Sequence, residues 1–317
     1  MRYVPYHELG GTPNIIVDGA AQQATLLTLS HWPRSGTPEA LKADLSAQIV
    51  FNYLARSQFH VSAEAVSNNH FDEDGLVSLY SMLHPEAAER NQELLIDIAA
   101  AGDFGTYRFR ESVRTVFVLS AFASEETSPF HSDIFKGSYP EKTSALYQEM
   151  LPRLTDICFD LNAYREFWSD EDEKLATSER AIQDGSIRIE ELPDVDLAVI
   201  TLPDGFGDCH PIALHNATGC FRLLTLAGKK YELKFRYETW VQYMSRRPMP
   251  RVDLTPLAEQ FSSEDGASWQ FDGVEEIVPR LYRADEQESR ITPETFRRKV
   301  IDFLASAPPA WNPFDSD

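Results

Sequence analysis

Short apolar runs that end in polar turns alternate with helical stretches through the first third of the chain. No other feature constrains the fold as much. Asn14–Asp18 (NIIVD), Thr25–His31 (TLLTLSH) and Ala63–Asn68 (AEAVSN) read as strands. Ser35-Gly36-Thr37-Pro38 opens a predicted helix running to Arg56, with Thr37 as N-cap and Pro38 at its first position. Leu41, Leu45, Ile49 and Tyr53 recur along it at four-residue steps. Two more predicted helices, Leu76–Leu83 and Glu86–Ala101, follow the third strand, the second ending at Gly102-Asp103. Strands interleaved with helices point to an α/β fold, a parallel sheet with helices on both faces.

The rest of the chain changes character. From Tyr107 to Ile189 the pattern is mostly helical, strongest over Arg108–Phe122 and Lys142–Trp168, with a loop at Ser128–Pro140 between them. The acidic patch Ser169–Glu173 (SDEDE) reads as a solvated face. Beyond it, Asp196–Leu202 is a strand, and Phe221–Leu226 and Tyr231–Tyr237 flank a short Gly turn as a β-hairpin. Leu254–Phe261 is a short amphipathic helix, Trp269–Phe271 a strand and Pro293–Leu304 a last helix. The final stretch, APPAWNPFDSD, is expected to be extended or frayed. The expected organisation is an α/β core over 1–106, a helical connector over 107–190 and a smaller C-terminal α+β domain over 191–317.

Charge narrows the classes of function. The 317 residues include 50 acidic and 29 basic ones, a net charge of −21. A field of that sign repels phosphodiester backbones, so long nucleic acid is not an expected partner. It leaves room for a small phosphate ester held through a metal. The three cysteines, Cys158, Cys209 and Cys220, form no CxxC, and an odd, sparse count reads as reduced and intracellular. MRYVPYHELGG carries no basic segment followed by an apolar run, and Val113–Ala123 is shorter than the ~20 residues a membrane span needs. A cytoplasmic protein with no membrane partner is expected.

The sharpest local signal is Asn69-His70-Phe71-Asp72-Glu73-Asp74-Gly75, between a predicted strand and a predicted helix. Ligand sites in open α/β sheets lie at the carboxyl ends of strands. On an extended backbone, the i, i+2, i+4 spacing would aim His70, Asp72 and Asp74 the same way. One imidazole and two carboxylates suit Mn, Fe or Zn, and hard oxygen ligands favour Mn or Mg. The same residues also suit a polar turn in which Asp72 or Asp74 caps the next helix. Two other strand ends carry matching groups, Asp18 and His31, and Asp103 follows a helix in Gly102-Asp103-Phe104-Gly105. Taken singly, these are a turn residue, a core histidine and a helix-terminating turn. Three adjacent parallel strands would instead gather them, and so many carboxylates together imply a bound cation or raised pKa values. Asp208, His210 and His215, in DGFGDCHPIALH, offer a second metal or substrate-contact reading, against a loop with incidental histidines.

HFDEDGLVSLYSML resembles the first motif of the DHH phosphoesterases, the superfamily of RecJ-like nucleases, exopolyphosphatases and nano-RNases. NIIVDG resembles the strand ending in that family's metal-binding Asp. LLTLSHWP resembles the Asp-His-His segment, with Ser30 in place of Asp, His31 retained and Trp32 in place of the second His. GDFG resembles the last metal Asp. The motifs stand in a different order from the family's, as in a circularly permuted core. Arg251-Val252-Asp253-Leu254 and the glycines that follow are similar to the DHHA1 substrate domain, although its Gly-Gly-Gly-His turn is absent.

The resemblance implies a metal-dependent phosphoesterase acting on a small phosphorylated substrate with two Mn ions, or Mg. His70, Asp72, Asp74, Asp18, His31 and Asp103 would be the ligands. His31, Asp72 and Asp74 would carry the catalysis, and Arg34, His210, Arg247 and Arg251 would hold substrate. A homodimer is compatible with this reading. The alternatives are a non-catalytic module that keeps the fold and binds nucleotide or a partner, and an unrelated α/β hydrolase using His31 or His210 as general base. No G-x-S-x-G, P-loop or G-x-G-x-x-G supports the last of these.

Overall fold

The computed structural model describes residues 1–315. The chain forms two compact units, Met1–Glu173 with Tyr243–Ser245, and Lys174–Gln242 with the chain from Arg246 onward. It is an α/β protein with a parallel sheet flanked by helices, a helical middle and a mixed C-terminal sheet, as the alternation predicts.

The first unit holds β1 (Arg2–Tyr3), β2 (Asn14–Val17), β3 (Thr25–Leu29) and β4 (Ala65–Ser67). They lie in the order β1-β4-β2-β3, and every pair is parallel. β2 and β4 are buried at every position, which accounts for their unbroken or nearly unbroken apolar character. The three predicted strands are thus neighbours, with β2 in the centre, and the turns that follow them share one edge of the sheet. β1, only two residues long, is too short to show a pattern.

Only residues 18–24 connect β2 to β3. Parallel neighbours usually need a crossover of a dozen residues or more, so the chain must turn back sharply at the end of β2. Asp18 makes that turn in the left-handed region, at φ 44°, which Asp tolerates better than most residues. The loop is fastened where Ala20 N donates to Asn69 Oδ1 (3.0 Å) and the Tyr6 hydroxyl donates to Ala20 O (2.9 Å).

The helices of this unit are α1 (Ser46–Leu54), α2 (Glu73–Leu83), α3 (Pro85–Arg90), α4 (Gln92–Asp103), α5 (Arg110–Ala123), α6 (Tyr139–Met150), α7 (Leu154–Phe159) and the first part of α8 (Arg165–Gln183). Three differ from expectation. The helix expected from Pro38 starts only at Ser46, after a short 3-10 turn at Glu39–Leu41. Thr37 caps no helix; its hydroxyl lies 2.8 Å from Ser30 O and accepts the N–H of Ser30 at 2.9 Å. The predicted Glu86–Ala101 helix is broken at Asn91 into α3 and α4, and Asp103 is the last helical residue. The predicted Lys142–Trp168 helix is broken near Pro152, which lacks an N–H and clashes with the preceding turn. The acidic patch lies on α8 and is not simply solvated, since Asp172 accepts from Arg110 Nε (2.6 Å) and Arg114 (3.0 Å).

The second unit holds β5 (Arg188–Leu192), β6 (Leu197–Leu202), β7 (Arg222–Ala227), β8 (Lys230–Phe235), β9 (Arg251–Val252), β10 (Trp269–Phe271), β11 (Arg280–Arg283) and β12 (Pro309–Trp311), with α9 (Pro211–Ala217), α10 (Thr255–Asp265) and α11 (Pro293–Ser306). Six strands form one sheet in the order β10-β11-β8-β7-β6-β5, in which only β6 and β7 pair in parallel. β7 and β8 are the expected hairpin. β5 and β11 escape prediction because charged residues dominate them (RIEEL, RLYR). One face of the sheet (Val199, Leu224, Leu226, Leu233, Phe235) packs with Phe261 of α10 and Phe296 and Val300 of α11. Part of the other face (Ala198, Ile200, Leu202, Leu223) packs with Leu214 of α9 and Ala181 of α8. Within the C-terminal stretch Pro309–Trp311 is extended as expected, and it is paired, lying antiparallel to Arg251–Val252, while Ser316 and Asp317 lie outside the described residues. Among the described residues no helix is long and apolar enough to cross a membrane.

Candidate metal centre

The loop after β4 sets three of the six candidate ligands. His70 N donates to Asn68 Oδ1 (2.9 Å), which turns the chain out of the strand. Asp72 is the N-cap of α2, one oxygen accepting Gly75 N (2.8 Å) while the other lies 2.6 Å from His70 Nε2. The capping reading holds for Asp72, and the same carboxylate also stands against His70. Because Asp72 starts the helix, Asp74 does not continue an extended run with His70. It stands in the first turn of α2, fully buried, and its two oxygens accept the Ser46 and Ala47 N–H groups at the start of α1, both at 2.7 Å. Tertiary capping by Asp74 explains why α1 begins there, for those amides have no partner within the helix.

The ends of β2 and β3 supply the others. Asp18 is buried between two histidines, with Oδ1 3.5 Å from His31 Nε2 and Oδ2 3.3 Å from His70 Nε2. Ser46 Oγ donates to Asp18 Oδ1 at 2.7 Å. His31 Nδ1 lies 2.6 Å from the carbonyl oxygen of Asp44, which only accepts, so Nδ1 carries the proton. That carbonyl is itself held in place, because the Asp44 carboxylate accepts the N–H groups of Met244 (2.6 Å) and Ser245 (2.8 Å). Burial pushes the His31 pKa down against the pull of Asp18. A neutral ring with its proton on Nδ1 aims the Nε2 lone pair at carboxylates, Asp18 and Asp103 Oδ2, both 3.5 Å away. A lone pair facing carboxylates is repulsive until a cation lies between them, and a backbone carbonyl behind the far nitrogen is the usual support of a metal-binding histidine.

The remaining electrostatics agree. Burial first, then mutual repulsion, pushes Asp74 and Asp103 well above the ordinary carboxylate range and raises Asp72. Burial and the charge of Asp72 push Glu73 up to about 7. Asp18 alone is held low, because the hydrogen bond and charge of His70, with His31 and Ser46, outweigh its burial. His70 is the reverse case: burial is outweighed by Asp72 and Asp18, which raise its pKa well above the ordinary value. His70 Nδ1 and Asp103 Oδ2 belong to the buried polar atoms here that have no hydrogen-bond partner among the described residues.

Among the described residues, two groups of three can each hold a metal ion: Asp18, His70 and Asp72, and Asp18, His31 and Asp74. Within each, the ligand atoms lie within 4.8 Å of one another. Asp18 belongs to both. Asp103 adjoins the second group through His31. The six predicted ligands thus converge in the first unit. Sequence reasoning passed over Ser46, Asp44 and Glu73, whose contacts are all made across the chain. Only the position of Glu73 inside the HFDEDG run hinted at a role.

The proposed substrate residues are placed differently. Arg34 follows His31 in the first unit, exposed, with φ 60°. His210, Arg247 and Arg251 belong to the second unit. His210 caps α9, its Nδ1 accepting Ile212 N at 3.2 Å, and its own N–H donates to Ser178 Oγ at 2.9 Å. It forms no ligand group with Asp208 and His215 among the described residues. The exposed Arg247 lies over the Phe314 ring at 4.6 Å. Arg251 is 1% exposed, and its guanidinium donates to Thr239 Oγ1 (2.9 Å) and to the carbonyls of Val274, Glu276 and Ile277. Few of its five donors remain for a substrate.

Fold and site define an α/β protein with a buried Asp/His group that can hold metal. The chain belongs to DUF6687, a family of unknown function whose model matches residues 1–315. No curated protein and no solved structure matches it.

Proposed function

We propose that the chain is a metal-dependent phosphoesterase acting on a small phosphorylated substrate, with two Mn ions, or Mg, as cofactor. One observation carries the reading: Asp18 is shared by two ligand groups, with the His31 lone pair aimed into the same cluster. The donor set of carboxylates and imidazoles fits Mn and tolerates Mg. Asp18, His70 and Asp72 would hold one ion, and Asp18, His31 and Asp74, with Asp103 beside them, the other. A pair of such ions would supply an activated water and would offset the charge that develops in a displacement at phosphorus. The protein's own residues prepare the site. Asp44 fixes the His31 tautomer, Ser46 orients Asp18, and the α1 amides hold Asp74. Arg34 is the candidate to grip substrate phosphate from the first unit. The net charge of −21 favours a small substrate over a long strand. The likeness to DHH phosphoesterases in a permuted order belongs to this reading, since a sheet-edge site needs its strands adjacent in space rather than consecutive in the chain. A cytoplasmic location and a homodimer remain part of it.

A second reading, a module that binds nucleotide or a partner without turnover, draws on Trp32. It stands in place of the second His, with its ring 5.0 Å from that of His70. Elemental analysis after Mn loading, with a panel of phosphomonoesters and bis-p-nitrophenyl phosphate, separates the two. Metal with turnover is expected. Metal without turnover on any ester would leave the non-catalytic module, and no bound metal would sink the phosphoesterase reading.

A further inference from the structure

The sheet of the second unit is covered unevenly. α10 and α11 cover one face, whereas α9 and the end of α8 reach only part of the other. The remaining part, on β7, β8 and β11, borders a cavity of about 470 Å³, a size usual for small-molecule sites. Leu223 and Leu214 form apolar wall, and Lys234, Arg280 and Tyr282 also line it.

The cavity is lined by four basic residues, Lys230, Lys234, Arg280 and Arg283, against three acidic ones, Asp208, Glu232 and Glu286, in a chain of net charge −21. The register sets Lys234 of β8 directly opposite Arg280 of β11. Two cations therefore stand side by side on one face, an arrangement that destabilises a sheet. Arg280 has partial compensation from Asp272 at 3.4 Å and Glu232 at 3.6 Å. Lys234 is half-buried and has no ion pair or side-chain hydrogen bond among the described residues. The Arg280 guanidinium lies over the Tyr282 ring at 4.6 Å. An anion between Lys234 and Arg280 would turn their repulsion into charge-assisted hydrogen bonds. The apolar wall and the Tyr282 ring suit a flat, uncharged body attached to it.

We infer that this cavity binds a small organic phosphate bearing a flat apolar group. The phosphate sits between Lys234 and Arg280, and the flat group lies against Leu223 and Leu214. The inference does not rest on the phosphoesterase reading. Calorimetric titration of the full, metal-stripped chain with phenylphosphonate tests it, because that probe has no ester bond to hydrolyse. Saturable binding is expected, with methylphosphonate at least about tenfold weaker. Lys234→Ala should weaken phenylphosphonate binding by about tenfold or more, which is ~1.4 kcal/mol. Without ligand the same variant should melt no lower than the wild type, since a like-charge pair is gone. Asp72→Ala should bind the probe as the wild type does. The inference is overturned by the absence of saturable binding up to about 10 mM, by equal binding of methylphosphonate, by undiminished binding in Lys234→Ala, or by loss of binding in Asp72→Ala.

Discussion

Asp18 and Glu73 make opposite demands on one cluster. Asp18 belongs to both ligand groups, so Asp18→Ala should remove all tightly bound metal, as read by elemental analysis. Asp72→Ala should remove the Asp18, His70 and Asp72 group and also cost ~0.5–2 kcal/mol as a lost cap. Glu73 ties the cluster to pH. Its folded pKa of about 7 lies above the unfolded value of ~4.3. The folded metal-free protein therefore binds the Glu73 proton more tightly than the unfolded chain does. This contribution to stability is complete below about pH 4.3 and is lost as pH rises through about 7. Denaturant titrations of the metal-free protein at mildly acidic and alkaline pH should show the wild type losing more stability than Glu73→Gln over that window. Equal losses would show that Glu73 titrates at its ordinary value. In the sequence, His70, Asp72 and Asp74 were legible because one short run carries them. Glu73 was not, because its pKa comes from neighbours rather than from its own type.

At the scale of elements, the start of one helix is set by the first turn of another. Asp74 of α2 caps α1, and the hydroxyl of Tyr147 on α6 donates to His70 O at 2.7 Å. Gly75 lies where these meet. A Cβ there would come within 2.3 Å of Asn68 Nδ2 and 2.5 Å of the Tyr147 hydroxyl oxygen. In an ordinary exposed helix, Gly→Ala gains up to ~1 kcal/mol. Here the clash wins, and Gly75→Ala should destabilise by ~1–3 kcal/mol, seen as a lowered melting temperature. The Gly-after-Asp pattern could be read from the chain, but its steric reason could not, because Asn68 and Tyr147 come from other elements. The late start of α1 was hidden for the same reason. Thr37-Pro38 is a sound local helix start, and it lost to a cap provided from α2.

For the whole molecule, the metal centre should govern stability. A ligand that binds only the folded state stabilises by ~2.7 kcal/mol at a hundred times its Kd. Mn should therefore raise the melting temperature of the stripped protein by several degrees in scanning calorimetry, and Asp18→Ala should abolish the rise. A rise that survives in Asp18→Ala would place the ion elsewhere. What the sequence determined by itself was the alternation that makes a parallel sheet, the strand ends carrying Asp18, His31 and His70, the β7–β8 hairpin and the acidic balance. These are local patterns, readable because burial and turn geometry act on neighbouring residues. Only the tertiary structure decided that β4, β2 and β3 lie side by side and that His31 is tautomerically fixed by Asp44. It alone showed Asp74 facing α1, Arg251 turned inward onto carbonyls, and Lys234 opposite Arg280. Each of these depends on the pairing of segments far apart in the chain, which local propensity does not encode.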